Sequence, residues 1–319
     1  VNLSGDTMVT ELPSTKKYKD KVSVIKGKLV WAGETENNTE YKWFSEVTDG
    51  ATKKSESVRS EWKEKIAEEV EGVPVPKGFT YKEGTKDTGL VIQDAKGNEF
   101  VWVPANESTY VKDTSFPSRD NIKPTGDDTL PNGITEETVD VKKYGGFYIG
   151  RYEAGIPEGD TSPSNKTGIP VSKKGEIVWS GINYTNAKAN AEKMINNEYV
   201  QTGLLTGKAW DTVCHWIKSD DELKDSRTYG NYNNSLAPAN ENSGTRRTAG
   251  FNENWKVKNI YDLAGNVWEW TSEADSSFFI CRGGGCGFDG SDFPVSYRYY
   301  NGASSAADNV GFRSRLYIK

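Results

Sequence analysis

Apolar residues recur along this chain in two different periods, and the switches between them mark its elements. Val22-Ser23-Val24-Ile25 and Lys28-Leu29-Val30-Trp31 flank Lys26-Gly27, and β-branched runs around a glycine turn predict a short hairpin. Val58, Trp62, Ile66 and Val70 recur every four residues among Glu and Lys, which predicts a charged helix with one apolar stripe. Val73-Pro74-Val75-Pro76-Lys77-Gly78 breaks that pattern, and its prolines read as a boundary. Residues 1–72 are therefore expected to form a small N-terminal α/β attachment module, with residues 73–319 as a second domain.

In that second domain Gly89-Leu90-Val91-Ile92 and Phe100-Val101-Trp102-Val103-Pro104 enclose the turn Ala95-Lys96-Gly97-Asn98, a second predicted hairpin. Residues 105–140, rich in Asp, Thr, Pro and Asn, read as a long loop, and a strand is expected from Tyr144 through Glu153. Helices are predicted over Tyr184 to Ile195 and Gly207 to Lys218, followed by short strands and glycine turns. Few long helices and many irregular segments predict an α+β domain whose function sits on its loops.

Composition narrows the function. The net charge of −6 is spread along the chain without a basic stripe, so nucleic acid is not an expected partner. No run of apolar residues is long enough to span a bilayer, and no membrane insertion is expected. The chain starts at Val1 without a basic-then-apolar leader, which leaves open a leader or anchor removed upstream. A single histidine, His215, excludes metal sites that need two or more imidazoles. It lies beside Cys214 in a Trp-rich helical pattern, and both read as structural. Three cysteines are too few for a disulfide framework.

The region from Ala274 to Ile318 contains no Lys, Glu, Gln, Met or Trp. Those types make up about a fifth of the chain, so about ten were expected at average usage. In their place stand aromatics among Gly, Ser, Asp and Asn, the vocabulary of adaptable binding loops. The candidate ligand-binding positions are Gly285, Cys286, Gly287, Phe288, Asp289, Asp292, Phe293, Tyr297, Tyr299, Tyr300 and Asn301. Phe288, Phe293, Tyr297, Tyr299 and Tyr300 are expected to cluster on one solvent-facing surface. Arg282 and Arg313 are expected to hold the frame beneath, since each offers a rigid fork of donors for carbonyls or carboxylates.

Five motifs occur in a characteristic order. They are Phe100-Val101-Trp102-Val103-Pro104, then Gly146-Phe147-Tyr148-Ile149-Gly150-Arg151-Tyr152-Glu153, then Asn259 through Thr271 with Leu263-Ala264-Gly265-Asn266-Val267-Trp268-Glu269-Trp270 at its centre, then Arg282-Gly283-Gly284, then Asn309-Val310-Gly311-Phe312-Arg313. Together they resemble the formylglycine-generating-enzyme branch of the C-type lectin fold, over about residues 73–319. That family contains enzymes and binders, so fold alone does not decide function. Its copper oxidases use a cysteine pair whose positions fall near Gly285 and Gly290, and its iron-dependent sulfoxide synthases need several His. Neither copper nor iron is therefore expected.

The resemblance is closer to variable proteins diversified by a retroelement, in which adenine-directed rewriting cannot produce Lys, Glu, Gln, Met or Trp from asparagine codons ending in a pyrimidine. It implies a variable region at about 282–318 and a display protein for a protein or glycan ligand on another cell or particle. Such a protein acts outside the cell, at a bacterial surface as an adhesin or on a phage. It further implies that Asp262, Gly265, Val267 and Glu269 bind a structural calcium, with capping or Arg pairing as the competing role for the two carboxylates. The alternatives are a copper-dependent formylglycine-type oxidase using Cys281 and Cys286, and a structural subunit of a pilus or phage fibre.

Overall fold

The computed structural model describes residues 65–122, 139–156, 166–236, 243–275 and 278–319. One compact unit begins at Ile66 and runs to Lys319. The hairpin expected at Val22 to Trp31, together with Val58 and Trp62, lies outside the described residues.

Ile66 and Val70 do not continue a helix. They belong to strand β1 (Ile66–Val70), which pairs antiparallel with β2 (Val73–Pro76). Glu71 and Gly72 take positive φ of 54° and 74°, the left-handed pair that a tight hairpin turn requires, and Val73 and Val75 are fully buried. The boundary expected between residues 72 and 73 falls inside this hairpin. Tertiary burial of the valines outweighs the four-residue spacing.

The main sheet has six strands: β3 (Phe79–Glu83), β4 (Val91–Asp94), β5 (Glu99–Pro104), β6 (Gly146–Gly150), β7 (Val200–Leu204) and a last strand, Ser314–Ile318. The order is β3, β4, β5, β6, the last strand, β7, with every neighbour antiparallel. β4 and β5 are the hairpin expected from sequence. Phe100, Val101, Trp102 and Val103 are all buried, as a continuous apolar run must be when both faces of its strand are covered.

Helix α1 (Val139–Tyr144) closes the end of the expected long loop. It takes Tyr144, which had been assigned to the following strand, and stops because Gly145 adopts φ 76° and caps back to Val141. α2 (Tyr184–Met194) and α3 (Gly207–Ile217) lie within a residue of their predicted ends. Asn183 and Thr206 explain where they start, since their side chains accept the Asn186 and Ala209 N–H groups at 2.9 and 3.1 Å. α3 packs Trp210, Val213 and Cys214 against Val101, Val103 and Ile149 of the sheet. α2 packs Ala187 and Ala191 against a second core that includes Leu204, Trp268 and Trp270.

That second core backs a smaller sheet. After the short pair β8 (Lys256–Val257) and β9 (Ile260–Tyr261) come β10 (Trp268–Asp275), β11 (Phe278–Arg282), β12 (Tyr299–Gly302) and β13 (Val310–Phe312), with Ser314–Ile318 as β14. The four-stranded order is β12, β11, β10, β13, and β10 pairs parallel with β13 through Trp268 and Val310. The aromatic segment thus leaves from β11 and returns through β12, between strands fixed on either side.

Candidate functional site

The frame under the aromatic segment is made of buried ion pairs. Arg282 donates to Asp211 at 2.6 Å, to Glu273 at 3.2 Å and to the Ser296 carbonyl at 3.1 Å. Arg298 donates to Glu273 at 3.0 Å, to the Asp113 carbonyl at 3.0 Å and to Asp211. Two guanidiniums therefore face two carboxylates, with the Lys112 ammonium 3.9 Å from Glu273 at the edge of the network, and such mutual pairing is what lets buried ions be tolerated. Arg313 makes the fork expected of it: it engages both Glu269 oxygens and donates to the Gly150 and Tyr261 carbonyls at 3.0 and 2.8 Å.

The loop between Arg282 and Arg298 is shaped by close backbone approach. A Cβ on Gly284 would lie 2.6 Å from the Phe293 carbonyl, and its φ is 79°, so only glycine fits there without strain. The Tyr232 hydroxyl donates to the Gly283 carbonyl at 2.8 Å, and Asn234 accepts from the Gly290 N–H at 3.0 Å. Asp289 is held by Ser291, whose hydroxyl and N–H donate at 2.6 and 2.8 Å; these bonds pull its carboxyl down to about 2.

On this frame the expected rings come together. Trp268 forms the floor, with Phe288, Phe293, Tyr297 and Tyr299 at centroid distances of 5.5, 6.1, 6.3 and 5.0 Å. Phe288 and Phe293 meet edge-to-face at 5.2 Å, as do Phe293 and Tyr297 at 5.1 Å. Tyr300 stacks beside Tyr299, and Phe278, itself 40% exposed, lies 4.6 Å from Tyr300. Phe288, Phe293, Tyr297, Tyr299 and Tyr300 are all half-buried, with none in the core. Cys286, Asp289 and Asn301 are also half-buried, while Gly287 and Asp292 are exposed. Gly285 departs from the expectation: it is buried, and a Cβ there would stand 3.2 Å from Trp268. It is a spacer under the face, not part of it.

Sequence reasoning missed one side of this surface. Residues 117–119 run along Arg298, exchanging backbone bonds through Pro117 and Arg119. That contact places the Arg119 guanidinium 4.8 and 4.7 Å from the Tyr299 and Tyr300 ring centres, with a hydrogen bond to the Tyr299 hydroxyl at 2.9 Å. Asp120 accepts from the Tyr300 hydroxyl at 2.8 Å. Asp120 and Asn121 both take left-handed φ, at 54° and 57°, a conformation Asp and Asn adopt more readily than other residues. Beside them opens a polar cleft of about 240 Å³ lined by Lys112, Ser115, Phe116, Ser118, Glu273 and Arg298 among others.

Two of the four residues expected to bind calcium, Asp262 and Glu269, have their carboxylates engaged within the protein. Both oxygens of Glu269 are taken by Arg313, so the Arg pairing holds for that residue. Asp262 accepts the Gly250 N–H at 2.6 Å through Oδ2, while Oδ1 is buried without a hydrogen bond. Glu153, fully buried nearby, accepts from Asn266 and from the Val267 N–H. Three carboxyls thus share one cation: burial and the neighbouring acids push Glu153 well above the carboxylate range, and burial raises Asp262 to about 7. Among the described residues no group of three or more His, Cys, Asp or Glu is arranged to hold a metal.

The thiols are placed as follows. Cys214 is buried in α3, and burial pushes it up to about 12. Cys281 lies in β11, fully buried, with the Asn301 amide 3.8 Å from its sulfur. Cys286 is half-buried on the loop, and all three are free. Burial raises the thiols of Cys281 and Cys286. His215 contacts Asp113 at 2.9 Å and stacks on Phe116, a structural role. No helix among the described residues is long and apolar enough to cross a membrane.

A search of the curated proteins by sequence finds no match. Solved structures similar to this chain include variable protein 1 of Treponema denticola, at 15% identity and TM-score 0.38 over 68% of this chain and 95% of that one, and PvdO from Pseudomonas aeruginosa, at 16% identity and TM-score 0.39 over 73% and 99%. Residues 182–316, which include α2, α3 and the whole aromatic segment, match the Sulfatase-modifying factor enzyme 1-like domain family, and the α+β fold is that family's C-type lectin-like fold.

Proposed function

We propose that this chain is a ligand-binding display protein whose surface between Gly285 and Asn301 engages a macromolecular partner on another cell or particle without chemical turnover. One observation carries the reading. The segment's arginines are all buried in the frame, whereas its five candidate aromatics stand half-exposed, four of them around Trp268 and Tyr300 beside Tyr299. Folding information and contact surface are thereby separated along a single stretch of chain. Exposed positions away from packing tolerate substitution at about 0.5 kcal/mol or less, the latitude a diversified surface needs.

Retroelement rewriting of residues 282–318 accounts for the missing Lys, Glu, Gln, Met and Trp, and for an unpaired Cys286 on a binding loop. On this reading the chain works at a bacterial surface, as an adhesin or receptor-binding component, or on a phage.

The test is binding of the labelled full chain to a panel of cells and glycans, in parallel with a Tyr297→Ser, Tyr299→Ser, Tyr300→Ser variant. The triple variant should lose the binding that the parent shows; a folded variant that binds equally well overturns the proposal. A near-copy of the coding segment in the neighbouring DNA, differing only at adenines, tests the rewriting mechanism. Stoichiometric Cu(I) binding lost on Cys286→Ser would instead favour the oxidase.

A further inference from the structure

The charge that residues 274–318 themselves contribute to the display face is one-sided. Residues 274–318 contain no Lys or Glu, and Arg282, Arg298, Arg313 and Arg315 are each at most 3% exposed. The charges that this segment leaves accessible are therefore all aspartates: Asp275, Asp289, Asp292 and Asp308. Asp289, held down to about 2 chiefly by the Ser291 hydroxyl, stays ionised at any physiological pH.

One cation already shows how such a surface is used. The Arg119 guanidinium lies over both Tyr299 and Tyr300, with Asp120 at 3.7 Å as counter-charge. The second half of the face repeats the ingredients. Phe288, Phe293 and Tyr297 form an edge-to-face trio over Trp268, and Asp289 and Asp292 directly adjoin Phe288 and Phe293 in the chain. Arg119 stacks on Tyr299 and Tyr300 and reaches this trio only through its charge near Tyr297. Asp292 is exposed. Its N–H leans on Asp289, at 3.3 Å.

We propose that the Phe288, Phe293 and Tyr297 trio is the seat for an Arg or Lys side chain projected by a protein partner, with Asp292 as its counter-charge. The inference rests on the display reading above and deepens it. Ring faces carry negative electrostatic potential, so a cation placed over them is attracted, more strongly where water is excluded. A neighbouring carboxylate adds a charge-assisted hydrogen bond and favours guanidinium or ammonium over any neutral group. The same field opposes sulfated or carboxylated glycans, so the partner class is a basic protein surface.

The experiment pans a phage-displayed random dodecapeptide library on the full-length chain. Selected peptides should carry Arg or Lys at several times their frequency in the unselected library. Binding of a selected synthetic peptide should weaken about tenfold in Asp292→Asn and in Phe293→Leu, the scale of one partly desolvated cation–π contact, and should weaken further with added salt. Melting curves of both variants check that the fold is kept. Selected peptides without basic enrichment, or no selected peptides at all, overturn the cation seat. If the selected peptides still lose binding to the Tyr297, Tyr299 and Tyr300 serine variant, the display reading survives that failure. Peptides that bind that variant and the parent equally would overturn the display reading itself.

Discussion

Arg298 donates its Nε–H to Glu273 at 3.0 Å inside the protein, while the residues on either side of it, Tyr297 and Tyr299, hold their rings half-exposed. Extended backbone sends successive side chains to opposite sides, so three consecutive residues serve surface, frame and surface in turn. A contact surface can change around Arg298 only if Arg298 itself does not.

Replacing that arginine should therefore be far more damaging than replacing its neighbours. Arg298→Ala leaves the buried Asp211 and Glu273 with Arg282 and, at 3.9 Å from Glu273, the partly exposed Lys112, and breaking a buried ion pair costs about 3–5 kcal/mol. Chemical denaturation should show a loss of that size. A variant within about 0.5 kcal/mol of the parent, the usual range for a surface change, would mean that the network is not structural.

The glycines divide in the same way. Gly284→Ala forces a Cβ against the Phe293 carbonyl at a left-handed φ, and should cost about 1–3 kcal/mol, the range for strained backbone positions. Gly287, with nothing within 4 Å of a built Cβ, should accept Ala or Ser at about 0.5 kcal/mol or less. Equal melting temperatures for the two variants would contradict the division.

Trp268 couples face to frame. Its ring is 1% exposed and touches four of the display aromatics. Trp268→Ala should cost about 3–5 kcal/mol, as truncations of core aromatics do. It should also abolish ligand capture, because the rings above it lose their floor. Capture that persists in a folded Trp268→Ala protein would show that the upper rings hold their own positions.

Stability should fall as pH rises through neutrality. Burial raises Asp140 from an ordinary value of 3.8 to about 7, against the opposing pull of Arg315, so the native state binds a proton the unfolded chain has released. The contribution is fully present below about 3.8 and lost as pH passes about 7, with a slope of at most about 1.4 kcal/mol per pH unit from this group. Asp262, also raised to about 7 by burial, acts in the same direction. Glu222 and Glu253, lowered to about 2 by hydrogen bonds from Lys218 and Lys174 respectively, work oppositely but only in acid. Urea midpoints at pH 5 and pH 8 measure the effect, and Asp140→Asn should flatten the difference. A midpoint that rises from pH 5 to pH 8 would refute this.

Much of this was legible in the sequence, for identifiable reasons. The hairpin of β4 and β5, the starts of α2 and α3, and the roles of Arg282 and Arg313 all follow from local chemistry: a glycine turn, two side-chain caps, and forks of donors next to glycines. The aromatic face followed from residue type alone, because rings among Gly, Ser and Asp find few partners in a core. What sequence could not reach was long-range. Arg119 joins the face across 180 residues to Tyr299 through a backbone pairing that no local pattern announces. Gly285 looked like its exposed neighbour Gly287, and only the position of Trp268 separates them. Ile66 and Val70 obeyed a helical period, yet the burial of Val73 and Val75 makes their segment a strand. Glu269 reads as a calcium ligand by residue type, and its pairing with the distant Arg313 is a long-range fact that no local pattern carries.

The position of β14 adds an error check to all this. It lies between β6 and β7, inside the main sheet, and it is encoded after the aromatic loop. A reading-frame slip between Gly285 and Asn301 would destroy that strand and Arg313 together, opening the sheet at its interior. Such products should never mature into soluble protein. Every molecule that folds has thereby been translated in frame through the aromatic loop as far as β14.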